Sequence, residues 1–88
     1  MTRPAVVGYE ALGRHGSLGV VVHVDESDRQ EPALVVLGGV SYSLVYHVPW
    51  RCVRSVRERE RRVVFELDLA DFHARLREDG RVELRVAR

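Results

Sequence analysis

The sequence predicts a small, mainly β domain, a barrel of about six strands followed by one short C-terminal helix and a closing strand. Three observations lead there. Short apolar runs alternating at period two recur about every ten residues, each bounded by Gly, Pro or polar turn residues. Seventeen valines and nine leucines supply most of the apolar content, a bias toward strand formers. Eighty-eight residues leave room for one core. The chain is therefore read as a single domain over 1–88, with a barrel core of about 5–67, a helix at 69–79 and a last strand at 81–86.

Ala5–Leu12 (AVVGYEAL) reads as the first strand, with Gly8 as a bulge position. Gly13-Arg14-His15-Gly16 is a tight connection with a glycine at each end for positive φ. Ser17–Asp25 (SLGVVVHVD) is the second strand, with Leu18, Val20, Val22 and Val24 on one apolar face and Gly19, Val21 and His23 opposite. The polar stretch Glu26–Pro32 reverses the chain. Ala33–Leu37 is a short buried strand stopped by the turn signal Gly38-Gly39. Tyr42–Val48 then alternates, with Tyr42, Leu44, Tyr46 and Val48 inward and Ser43, Val45 and His47 outward. Pro49, which donates no ladder hydrogen bond, ends it. Cys52–Arg57 buries Val53 and Val56, the Arg-Glu-Arg-Glu-Arg stretch turns, and Arg62–Leu67 sets Val63, Phe65 and Leu67 on one face.

At Asp68 the period changes. Asp68 is placed to cap a helix that begins at Leu69, with Asp71 three residues on in a capping-box arrangement. Leu69, Phe72 and Leu76 fall on one helical stripe, Arg75 and Arg77 complement the C-terminal dipole, and Gly80 suits the C′ position. Arg81–Val86 returns to strict alternation, Val82, Leu84 and Val86 against Glu83 and Arg85.

In order and spacing, Gly16, Leu18-Gly19-Val20-Val21, Leu34-Val35-Val36, Gly38-Gly39, Val48-Pro49, Val53 and Val63-Val64 resemble a PRC-barrel domain. The resemblance covers Val6 to Leu67 and rests on the succession of strands and turns, not on any chemically reactive residue. It implies a small barrel that serves as a scaffold or adaptor for proteins, with no shared catalytic set. The helix and last strand stand outside it as a C-terminal addition.

The charges narrow the choice of function. Fourteen arginines and no lysine, with isoleucine and asparagine also missing, match the codon bias of a GC-rich genome. Thirteen acidic residues bring the net charge to +1, without the basic surplus of an electrostatic nucleic-acid binder. A single cysteine, Cys52, excludes an internal disulfide and a cysteine-based zinc site and suits a reducing, cytoplasmic setting. The first residues carry no signal-peptide pattern, and the longest apolar run, Ala33–Leu37, is far too short for a membrane span.

His15, His23, His47 and His73 form no metal-ligand spacing, although His23 and His47 can be neighbours across a sheet. Cys52 lies between Trp50 and Val53 and reads as a small hydrophobe, with Arg51 and Arg54 near enough to stabilise a thiolate only weakly. No Ser-His-Asp set and no phosphate-binding glycine fingerprint is present. No enzyme and no cofactor is expected. Arg51, Arg54, Arg57, Arg59, Arg61 and Arg62 crowd twelve residues and read first as a hydrated hairpin, second as an RNA contact flanked by Tyr46, His47 and Trp50.

The expectation is a non-enzymatic, self-associating adaptor, a homodimer that also takes a protein partner. Its protein-binding residues are expected to be Tyr46, Trp50, Arg54, Arg57 and Arg59, with Phe72 and Leu76 of the helix. The alternative is a small RNA- or ribosome-associated barrel that binds through the Arg-rich hairpin.

Overall fold

The period-two segments become strands of one sheet: β1 (Glu10–Gly13), β2 (Gly16–Asp25), β3 (Ala33–Gly38), β4 (Leu44–Pro49), β5 (Val53–Arg57), β6 (Arg62–Phe65), β7 (Phe72–Leu76) and β8 (Val82–Val86). The structure is a computed structural model that describes residues 5–27 and 30–86. Met1–Pro4, and the Asp28-Arg29 step of the polar loop, lie outside the described residues. The strand order is β5-β6-β1-β2-β3-β4-β8-β7. Strands β1 to β4 form an antiparallel meander. A hairpin is added at each side, docking through its second strand: β6 lies parallel to β1, and β8 parallel to β4.

This differs from the expected six-stranded barrel. Among the described residues no pairing joins β5 to β7, so the sheet is open at both. Irregular registers at Ala11/Leu12, Val21/His23 and Val53/Ser55 mark bulges, which increase local twist and curl the sheet. The curl brings the start of β5 toward the chain before β7. Arg54, Phe65 and Asp71 there line a common cleft of about 260 Å³, in place of a closing ladder.

The helix expected over 69–79 is not formed. The Asp68 N–H does donate to the Asp71 carboxylate (2.9 Å), as a capping box requires, but the cap closes a single 3₁₀ turn, Leu69–Asp71. The chain then extends into β7, which pairs with β8 from Phe72↔Val86 to Leu76↔Val82. A four-residue spacing fits both periods, so Phe72 and Leu76 share a face in a strand as they would in a helix. Arg77–Gly80 makes the hairpin turn, closed by the Gly80 N–H on the Arg77 carbonyl (3.1 Å), with Gly80 at φ +85°. Of the expected helical stripe, the Leu69 side chain lies outside the described residues.

The core gathers on one face of the sheet. Val6, Ala11, Val21, Leu34, Val36, Tyr46, Val48, Val63, Phe65 and Leu67 form it, with Leu18, Val24, Trp50, Val53, Val56, Phe72, Leu84 and Val86 packed at its margin. The β2 bulge reverses an expectation here. Val22 is skipped in the register, so Val21 and Val24 point inward and Val22 is exposed. Tyr42, expected inward, sits at φ +55° in the turn before β4 and is 55% exposed. Val45, expected outward, is buried on the second face.

Candidate functional site

The residues expected to bind protein separate into four groups. Tyr46, at 5% exposure, belongs to the core, and its ring meets the half-buried Phe72 edge-on at 5.3 Å between centroids. Trp50 opens the 3₁₀ turn Trp50–Cys52 and packs half-buried against the core margin. Arg54, Arg57 and Arg59 lie exposed on the β5–β6 hairpin, and Leu76 lies on β7, at the other end of the strand order.

The arginine hairpin is partly neutralised within the chain. Arg57 pairs with Glu60 (3.6 Å), and Arg62 pairs with Glu60 (3.5 Å) and with Glu10 on β1 (3.1 Å). Arg54, Arg59 and Arg61 hold no ion pair with another described residue. Exposed pairs of this kind contribute little to stability, so their effect is mainly on the local field.

A polar cleft of about 310 Å³ on the sheet's second face has no signature in the sequence. Asp25 ends β2, His47 lies on β4 and Arg85 on β8, and the loop before β3 brings Ser27 and Glu31 to the same place. The Asp25 carboxylate accepts the Ser27 N–H (2.9 Å) and bonds His47 Nε2 (3.1 Å). These bonds, those of Ser27 first, hold its carboxyl well below the usual carboxylate range. Glu31 accepts both the Arg51 guanidinium and its backbone N–H (2.9 Å), strapping the loop to the 3₁₀ turn. Two carboxylates, Asp25 and Glu31, and two guanidinium groups, Arg51 and Arg85, line this cleft, so its formal charges balance. Its members come from distant segments, which is why spacing along the chain could not reveal it.

His23, Val35, His47, Arg85 and His73 are successive register partners across five strands. Each histidine is thus separated from the next by an intervening strand, about 9–10 Å at ordinary strand spacing, where a shared ion needs ligands near 2 Å. Cys52 is half-buried, and burial pushes its thiol up more than the neighbouring Arg51 lowers it, the direction opposite to that of an activated nucleophile.

No known protein family matches the chain, and neither does any curated protein. Among the described residues no helix is long and apolar enough to cross a membrane.

The remaining feature is the outer strand β7. His73, Ala74, Arg75 and Leu76 are all exposed, Leu76 at 74%. Around its end, Arg77 N–H bonds the Arg81 carbonyl (2.8 Å), Arg81 Nε bonds the Tyr42 carbonyl (3.1 Å) and Val82 N–H bonds the Ser43 carbonyl (2.9 Å). These bonds bring the exposed Val40 and Tyr42 to the same end of the sheet as Leu76. Apolar exposure and a strand edge unpaired among the described residues coincide there.

Proposed function

We propose that this chain is a non-enzymatic, PRC-barrel-like protein-interaction module that self-associates and acts as an adaptor in the cytoplasm. The observation that carries the reading is β7: an outer strand with no partner on its far side among the described residues and with Leu76 exposed. Unpaired edges bearing apolar side chains are ready templates for another strand. Self-association would use this end of the strand order. The β5–β6 hairpin at the other end, with Arg54, Arg57 and Arg59 and the nearby Trp50, would remain available to a protein partner.

Sedimentation equilibrium over a wide concentration range tests this. The expected result is a reversible dimer that Leu76→Glu weakens, with the fold intact by circular dichroism. A monomer at every concentration refutes it.

One observation supports RNA as a second reading: Arg59 and Arg61 stand at the hairpin turn without a counter-charge among the described residues. RNA affinity that falls steeply with salt, and falls further in Arg59→Glu, favours it; a flat salt response removes it.

A further inference from the structure

We infer that the second copy docks by antiparallel pairing of β7 with β7 of its partner, across a two-fold axis at Ala74. The inference deepens the self-association reading and rests on it.

Backbone direction comes first. Arg77 donates to the Arg81 carbonyl (2.8 Å), and the β7–β8 register runs on without a break from Leu76↔Val82 to Phe72↔Val86. Bonded pairs alternate in an antiparallel ladder, so Arg75↔Glu83 and His73↔Arg85 carry the β7–β8 bonds. Phe72, Ala74 and Leu76 therefore direct their N–H and C=O groups away from β8. A second β7 centred on Ala74 sets Phe72 opposite Leu76 of the partner and Ala74 opposite its own copy, about six bonds between chains.

Side chains fit the same register. Opposed residues share a face, so the partner's Leu76 would come to rest beside Phe72 on the core face. There Phe72 lines a cleft of about 110 Å³ with Leu18, Tyr46 and Leu67, its polar side formed by the His15–Asp68 pair (3.4 Å). The residue at 74% exposure thus meets a gap in the core margin.

Symmetry decides against the other edge, and charge weighs the same way, since β7 paired with itself sets Arg75 opposite the partner's His73 and not opposite an arginine. Pairing β7 with β5 of a second copy would set His73 and Arg75 against Arg54 and Arg57, and it would leave free edges that continue into a filament. Pairing of β7 with itself closes after two copies, and the small Ala74 lies on the axis.

The test is amide exchange of the full chain, read by NMR well below and at about a hundred times the dimer Kd. The expected result is that Ala74 and Leu76 N–H exchange roughly fifteenfold more slowly in the concentrated sample, in proportion to the monomer fraction. His73 and Arg75 N–H should be protected in both. Ala74→Pro removes an outward N–H, spares the β8 ladder and should weaken the dimer roughly thirtyfold or more. A dimer whose Ala74 and Leu76 amides exchange freely overturns this geometry and leaves self-association standing. Absence of any dimer overturns both. Protection that arises only on adding a different protein shows the edge to be built for another chain and overturns the second copy.

Discussion

Replacing Gly38 by alanine probes the tightest contact in the sheet. Gly38 ends β3 opposite the part of β2 that holds Gly19, and the two backbones nearly touch. A Cβ on Gly38 would stand 1.7 Å from the Leu18 carbonyl oxygen, and one on Gly19 would stand 1.9 Å from that of Leu37. Even a close C–H···O contact keeps about 3.3 Å, so β2 and β3 would have to part locally by roughly 1.5 Å. The obstacle is backbone, which has no rotamer to change. Overpacking costs about 1–3 kcal/mol, and each ladder bond broken by the separation adds about 1 kcal/mol, giving roughly 3–5 kcal/mol for Gly38→Ala. A domain of this length has roughly 4–13 kcal/mol in all, and the loss corresponds to at least about 12 °C in Tm.

Urea unfolding, detected by the fluorescence of the single tryptophan, Trp50, with circular dichroism as second probe, measures it. Gly80→Ala is the control: Gly80 has positive φ but open space around its Cβ direction, so only the left-handed backbone cost of about 1–2 kcal/mol applies. Gly19→Ala combined with Gly38→Ala should cost less than the sum, because each separates the same two strands. A loss below about 1 kcal/mol for Gly38→Ala, at unchanged m, would refute the close approach as the reason for glycine there.

Two further outcomes concern the titrating groups. The Asp25 pKa is depressed in the fold by its bonds from Ser27 and His47, so its stabilisation is present above the unfolded carboxylate value of about 3.9 and is lost as pH falls below it. Asp25→Asn should therefore flatten the acid limb of stability against pH; an identical acid limb in both proteins contradicts the assignment. For Cys52, whose thiol is pushed up by burial, labelling by a thiol reagent at neutral pH should be roughly tenfold or more slower in the native protein than in urea, and equal rates would contradict it.

Much of the core is legible in the sequence because burial obeys period two. Val48, expected inward, and Val63, Phe65 and Leu67, expected on one face, are all buried, as are Leu34 and Val36 of the strand expected to be buried. The differences sit where one residue breaks the count. The bulge at Val22 exchanges the faces of β2, and the turn at Tyr42 takes that ring out of the alternation. In the sequence Gly38 reads as part of a turn; its φ is not positive, and what requires glycine there is the approach of β2. The cleft of Asp25, Glu31, His47, Arg51 and Arg85 is not legible at all, since pairing of β2, β3, β4 and β8 assembles it.

The segment 69–79, a helix by its pattern and a strand in the fold, bears most on function. Asp68 and Asp71, Phe72 and Leu76, Arg75 and Arg77 all suit a helix, and the local cap forms. Yet Phe72-x-Ala74-x-Leu76, Asp79-Gly80 and Val82-x-Leu84-x-Val86 also satisfy the pattern of a hairpin, with Asp-Gly as its strongest short-range mark. Tertiary pairing decides between them. Once β8 lies parallel to β4 from Leu44↔Val82 to His47↔Arg85, its outer side needs partners for its backbone, and the preceding segment supplies them only when extended. Between its ends a helix has no unpaired backbone to offer a second chain. The extended form transfers that need outward by one strand, to the N–H and C=O groups of Phe72, Ala74 and Leu76, and it is this displaced need that the proposed pairing with a second copy would meet.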